Sequence, residues 1–287
     1  MAQSESGAAV RLSFEFFPPA TDKGRRNLLR AWDRLAVRKP EFCSVTYGAG
    51  GSTRDRTLAT IEALRAAGAP AAPHLSIGLD DDDQVRSLLD AYLAMGINRI
   101  VALRGDIPSG MGSARQIRYA RELVGLIREH EAARGVDNPL HIEVAAYPEV
   151  HPDAPSPDAD LAYLKDKVDA GANGIITQYF YNADAYFDFV ERARALGINT
   201  PIVPGIMPII NFANLVRFSD GCGAEIPRWI RKRLASLQDD DAALRAFGEN
   251  VVAGLCRRLL DGGAPGLHFY TLNQALPTLA LLDRLEL

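Results

Sequence analysis

A glutamate stands inside an aromatic run near the start of the chain, Leu12-Ser13-Phe14-Glu15-Phe16-Phe17-Pro18-Pro19. The run is short, aromatic-rich and closed by two prolines, which predicts a β-strand. Side chains alternate along a strand, so Ser13, Glu15 and Phe17 share one face and Leu12, Phe14 and Phe16 the other. Burial among aromatic rings disfavours the charged form of a carboxyl and raises its pKa. The pattern therefore predicts a Glu15 that stays protonated near neutral pH and acts as a general acid. The competing reading is an edge-strand glutamate with its head in water.

Other polar residues recur where apolar runs end. Thr46 and Tyr47 close the run 42–47, and His74 lies in 72–77. Arg104-Gly105-Asp106 follows 99–103, and Tyr147 and His151 follow 142–146. Gln178 and Tyr179 close the sixth run, Phe212 follows the seventh, and Tyr270-Thr271-Leu272-Asn273 closes the eighth. Each alone admits a bland reading: Arg104 and Asp106 as a surface ion pair, His74 as a satisfied core histidine, Gly48-Ala49-Gly50-Gly51 as a plain turn rather than a phosphate cradle. His151 sits in a loop bounded by Pro148 and Pro152, whose stiffness favours holding a ligand. His130 and His141 read as surface residues and His268 as structural. Lys167, beside Lys165 and Asp166 on a helix, reads by default as part of a solvated face. No His, Asp and Glu have metal-ligand spacing, so no metal is expected.

These groups need elements to position them. The apolar runs 12–16, 42–47, 72–77, 99–103, 142–146, 174–178, 202–205 and 267–270 predict eight strands. Amphipathic stretches at 27–37, 57–67, 85–95, 117–130, 161–170 and 185–196 predict helices between them. The interval 211–261 holds more than one helix, with Pro227 opening one. One phrase recurs around Gly96, Gly171 and Gly197: a helix end, a glycine suited to the left-handed position, then a short apolar strand. The acidic runs 80–83 and 239–241 suit helix starts. Continuous apolar strands alternating with helices predict a parallel sheet covered by helices. Eight such units in this length predict an α/β, (β/α)8 TIM-type barrel, a single domain over 10–287 after a disordered tail over 1–9. Catalytic groups of such barrels gather at the C-terminal ends of strands, where the polar residues above lie. A doubly wound sheet would carry a G-x-G-x-x-G turn after its first strand; here Pro18-Pro19 follows.

Composition bounds the function. The chain is 47% hydrophobic and 24% charged, with a formal net charge of −4, which suits a soluble globular protein and points to neither nucleic acid nor an anionic membrane as partner. Cys43, Cys222 and Cys256 are dispersed and unpaired in sequence, which suits a reducing compartment. With no apolar leader and no membrane-length apolar run, a cytoplasmic location is expected.

Taken together, the stretches SFEFFPP (13–19), SVTYG (44–48), ALRGD (102–106), AYPEVHP (146–152), DAGAN (169–173) with ITQ (176–178), and HFYTLN (268–273) resemble the methylenetetrahydrofolate reductase family of the bacterial, catalytic-domain-only type. The resemblance runs from Ser13 to Asn273 and implies a flavin-containing (β/α)8 barrel. NADH or NADPH would reduce FAD and leave, and methylenetetrahydrofolate would then take the hydride to give 5-methyltetrahydrofolate, feeding methionine synthesis. Glu15 matches the family's general acid and Asp106 the aspartate beside the flavin. Thr46, His74, Arg104, Gly105, Asp106, Ala120, Tyr147, His151, Ala154, Asp160 and Lys167 match residues that hold FAD. Gln178 would hydrogen-bond the pterin, Phe212 would pack on the flat rings, and position 274 would meet the folate tail. A homo-oligomer is implied as well. Two departures stand out. Gln274 occupies a position where the family commonly has arginine, and a neutral amide cannot pair a carboxylate as arginine does. Asp166 stands where a basic residue is common, which predicts weakened FAD retention. The chain ends at Leu287 without the regulatory domain of the animal enzymes, so inhibition by adenosylmethionine is not expected. The alternatives are a non-catalytic flavin- or folate-binding homologue and a barrel reductase acting on another pterin methyl carrier.

Overall fold

The computed structural model describes residues 10–47, 51–76, 81–105 and 119–287. The expected tail over 1–9, the glycines at 48 and 50, and Asp106 lie outside the described residues. Eight strands run in chain order: β1 (Arg11–Phe16), β2 (Phe42–Val45), β3 (Ala71–Ser76), β4 (Arg99–Leu103), β5 (His141–Ala146), β6 (Gly174–Tyr179), β7 (Ile202–Ile206) and β8 (Gly266–Tyr270). Each pairs in parallel with the next, and β1 pairs with β8 through Ser13 opposite His268 and Glu15 opposite Tyr270, closing a barrel. This is the (β/α)8 architecture that the alternation of strands and helices predicts.

The helices are α1 (Asp22–Leu35), α2 (Gly51–Ala66), α3 (Asp82–Ala94), α4 (Ala120–Arg134), α5 (Pro157–Asp169), α6 (Ala183–Ala195), α7 (Phe212–Cys222), α8 (Arg228–Ser236), α9 (Asp241–Asp261) and α10 (Ala275–Leu285). The interval 211–261 thus holds three, with Pro227 at the N-cap of α8. Their ends follow from local chemistry. Asp81 caps α3 in a capping box with Gln84, and Asp240 caps α9, so the acidic runs satisfy free amide donors. Gly96, Gly171 and Gly197 all have positive φ (69°, 116° and 77°), turning each chain from helix towards strand, as the repeated phrase predicts. Helix α10 follows β8 without having been expected. Its residues Thr278, Leu281 and Leu282 are buried, and it packs on α9 and α1.

Alternation along β1 sends Leu12, Phe14 and Phe16 into the main core with the helices. Phe42, Ala72, Val101 and Ile176, from four different strands, form a separate cluster that fills the barrel interior. The N-terminal end of the barrel is closed by charge. Arg11 pairs with Glu41 at 2.6 Å, and Arg99 bridges Glu41 and Glu143 with its guanidinium 4.4 Å above the Phe42 ring. The polar residues of the opposite end are therefore left as the open face. No helix among the described residues is long and apolar enough to cross a membrane.

Candidate active site

Glu15 ends the inward-facing row of β1, and its side chain is 17% exposed. It does not sit among aromatic rings alone. Its Oε2 lies 3.3 Å from Nε2 of His74 on β3 and 3.5 Å from Nε2 of His268 on β8. The other ring nitrogen of His268, Nδ1, is 2.7 Å from the hydroxyl of buried Ser13. His74 Nε2 makes no aligned hydrogen bond among the described residues, yet lies close enough to Glu15 to favour its carboxylate. Burial alone would push the Glu15 carboxyl up. The charge of His74 and hydrogen bonding from His268 outweigh it and bring it down to about 2. The expectation of a glutamic acid kept protonated by its aromatic neighbours is thereby corrected: the ionised form of Glu15 is favoured. His268, expected to be structural, is a member of the cluster, fully buried against Glu15 and Ser13.

The backbone under Glu15 is locked to the end of β8. Thr271 donates to the Glu15 carbonyl oxygen from both its amide (3.2 Å) and its hydroxyl (2.6 Å). The Asn273 side-chain amide donates to the Phe17 carbonyl oxygen at 2.9 Å, and its oxygen accepts from the Phe17 amide at 3.0 Å. Leu272 and Asn273 take left-handed φ values of 50° and 56°, which cost non-glycine residues free energy and persist only where surrounding bonds hold them. The Thr-Leu-Asn stretch thus sets the height of the carboxylate in the barrel mouth.

Glu15 lines a cavity of about 250 Å³ at that mouth with Phe17, Thr46, Gln178, Phe218 and Tyr270. Tyr270 donates its hydroxyl to the Thr177 carbonyl oxygen at 2.8 Å, beside an irregularity in β6 that turns Gln178 towards the mouth. Gly205 permits this close approach, since a Cβ there would sit 2.1 Å from the Thr177 oxygen and 2.7 Å from the Tyr270 ring. Phe212 opens α7 and packs against the main core, while Phe218 and Cys222 of the same helix reach the mouth cavity. Gln274 lies apart, lining a cavity of about 450 Å³ with Arg245, Pro208 and Leu276.

A second cavity, about 590 Å³, is bounded by Arg104, Ala120, His151, Ala154, Asp160 and Lys167, bringing together six residues matched to FAD contacts. Asp160 accepts from the amide of His151 at 2.9 Å and fixes the loop after β5, where Tyr147 meets the His151 ring edge-on at 4.5 Å. Arg104 pairs with exposed Asp153 at 2.6 Å. Gly105 follows it with a positive φ of 81°. Lys167 is not on a solvated face: it is half-buried and donates to the Ala145 carbonyl oxygen at 2.6 Å, and desolvation lowers it to about 8. A desolvated ammonium with donors to spare beside an arginine fits a phosphate-bearing group. Of the FAD-matched residues, Thr46 and His74 stand at the mouth around Glu15 instead. His130, expected at the surface, is buried on α4 with its Nε2 2.8 Å from Asp90 and lines neither cavity.

His268 carried a signal in the sequence, since it faces the same way as Ser13 and Tyr270. What hid it was that closure of β8 on β1 is a tertiary event.

Comparison with known proteins agrees with this fold. A protein of Salmonella typhimurium named 5,10-methylenetetrahydrofolate reductase is 41% identical over 273 residues, covering 95% of this chain and 89% of its own. Methylenetetrahydrofolate reductase (NADH) 1 of Arabidopsis thaliana is 38% identical, with 96% of this chain matching 48% of that longer protein. Among solved structures, a protein from Clostridium thermocellum said to bind two copies of 5-methyl-5,6,7,8-tetrahydrofolic acid shares the fold, with a TM-score of 0.68 at 18% identity over 97% of this chain and 96% of that one. The family model described as methylenetetrahydrofolate reductase matches residues 1–286, and the chain belongs to that family of oxidoreductases.

Proposed function

We propose that this barrel reduces 5,10-methylenetetrahydrofolate to 5-methyltetrahydrofolate with FAD as hydride carrier and NADH or NADPH as donor, each substrate taking its turn in a ping-pong cycle. The observation that carries this reading is the Glu15 carboxylate at the foot of the mouth cavity, between His74 and His268. FAD, when bound, would accept hydride from the nicotinamide and return it to the one-carbon unit.

The residues supply the rest. Arg104 and Lys167 meet the pyrophosphate, and Asp160 and Tyr147 keep the His151 loop in register for it. Gln178 hydrogen-bonds the pterin from the wall facing Glu15, with Phe218 and Phe17 as apolar sides of the mouth and Phe212 behind them. Before hydride can arrive, N10 of the folate must take a proton, which breaks the N10–CH2 bond and leaves a cationic iminium at N5. Glu15, protonated anew for each turnover, delivers that proton, and its ionised form, which the neighbouring His74 and His268 favour, then faces the cation it has helped to make. Asp106, outside the described residues, adds a second negative charge in this reading.

Purified protein, reduced anaerobically with NADH or NADPH, tests the proposal. The flavin absorbance should bleach and then return on adding methylenetetrahydrofolate. Glu15→Gln should still bleach but recover at least about 100-fold more slowly, the scale of a lost general acid. Absence of bleaching with both nicotinamides, or normal recovery in Glu15→Gln, would overturn it.

A further inference from the structure

Asp166, an acidic residue beside Lys167, would by itself cancel the cation next to it. The structure gives it a different partner. Its Oδ2 accepts from Nη1 of Arg121 at 2.6 Å, so the pair ties the start of α4 to the end of α5 across the rim of the 590 Å³ cavity. The Arg121 guanidinium lies 5.6 Å from the centre of the Tyr119 ring, and Tyr119 lies nearly parallel to Tyr163, 24° apart with centroids at 6.3 Å. Both tyrosines are partly exposed and line the same cavity. The rim therefore presents a flat wall of two phenol rings and a guanidinium. One Nη of that guanidinium is committed to Asp166, and among the described residues its other N–H groups meet no further acceptor, so they can donate to a ligand. Flat rings and planar guanidinium groups stack on heteroaromatic bases, and guanidinium donors answer phosphate.

Resting on the flavin reading above, we propose that Arg121, anchored by Asp166 and backed by Tyr119 and Tyr163, clamps the adenosine-phosphate end of the dinucleotide. The cation that position 166 does not supply thus comes from position 121. Arg104 and Lys167 stand deeper, where a pyrophosphate follows, so the cavity has one end for each half of that portion of the ligand. Asp166 is a positioning residue in this arrangement and does not touch the ligand.

Titration of the flavin-free protein with FAD and with FMN, followed by flavin fluorescence, tests the clamp, because FMN has no adenosine end. Arg121→Gln should raise the Kd for FAD about tenfold, the effect of one charge-assisted contact, and leave the Kd for FMN unchanged. Asp166→Asn should raise the Kd for FAD by less. The double variant should equal Arg121→Gln, since the anchor acts only through the guanidinium. Unchanged FAD affinity in Arg121→Gln, equal losses for FAD and FMN, or additive effects in the double variant would each overturn the clamp. A wild-type protein that binds neither flavin would overturn the flavin reading itself, and the clamp with it.

Discussion

Nε2 of His74 lies 3.3 Å from Oε2 of Glu15, across the barrel mouth from one strand to another two places away. A buried imidazole at that distance acts on the charge of the carboxyl. The cluster holds Glu15 ionised against the pull of its own burial, so the site is poised by a balance of two opposing effects.

Removing the imidazole should tip that balance. In His74→Leu the main lowering influence is lost while burial remains, so the Glu15 carboxyl should move up. Difference infrared spectra between His74→Leu and His74→Leu/Glu15→Gln should then show a protonated carboxyl band at mildly acidic pH. The corresponding wild-type and Glu15→Gln pair should lack it. A protonated band already present in the wild-type pair at pH 6 would refute the assignment of charge.

Lys167 should make flavin affinity depend on pH. Its ammonium is lowered from 10.5 to about 8 by desolvation, and a phosphate beside it would favour the charged form. Binding therefore takes up a proton wherever the free protein has lost it, above about pH 8. The Kd for FAD should be flat below that pH and rise towards tenfold per unit above it, until the bound form also deprotonates. In Lys167→Met the affinity should be weaker throughout and the rise should disappear. A rise unchanged in Lys167→Met would place the titrating group elsewhere.

Gly205→Ala should be strongly destabilising although it adds one methyl group. The new Cβ would fall 2.1 Å from the Thr177 carbonyl oxygen, in the path of the Tyr270 hydrogen bond, and neither backbone nor a ring wedged between strands can yield cheaply. A loss of about 3 kcal/mol, seen as a Tm lower by about 5–10 °C, is expected by thermal melting. A melt within 2 °C of wild type would show that β6 and β7 can separate at this point.

The barrel was legible because its signals are local and repeated. Strand lengths, the glycines at 96, 171 and 197, and the capping aspartates at 81 and 240 each declare themselves within a few residues. The gathering of Glu15, His74 and Gln178 at one end followed from the rule that links strand ends to the mouth. What could not be read was contact across the closure. His268 and Ser13 lie 255 residues apart, yet meet at 2.7 Å, and the charge of Glu15 depends on that meeting of β8 with β1. For the same reason Lys167 resembled a surface lysine, since only the packing of α5 against β5 turns its amine to Ala145. The Asp166–Arg121 pair likewise joins two helices and leaves no mark in either one's sequence.

Asn273 should matter more for turnover than its distance from the chemistry suggests. Its side chain clasps both backbone groups of Phe17 while its own backbone sits at a φ of 56°. Alanine there would lose two hydrogen bonds and keep the strained backbone without its support, at a cost of about 1–3 kcal/mol. The strand end that carries Glu15 would then move relative to β8, and small displacements of a proton donor weaken transfer steeply. Asn273→Ala should therefore reoxidise with methylenetetrahydrofolate about 10- to 100-fold more slowly, while its reduction by NADH and its Kd for FAD stay near wild type. Asn273→Asp, which keeps the acceptor for the Phe17 amide but loses the donor to its carbonyl, should fall between the two. Equal slowing of both half-reactions would mean that the clasp supports the barrel as a whole and does not specifically position the Glu15 carboxylate.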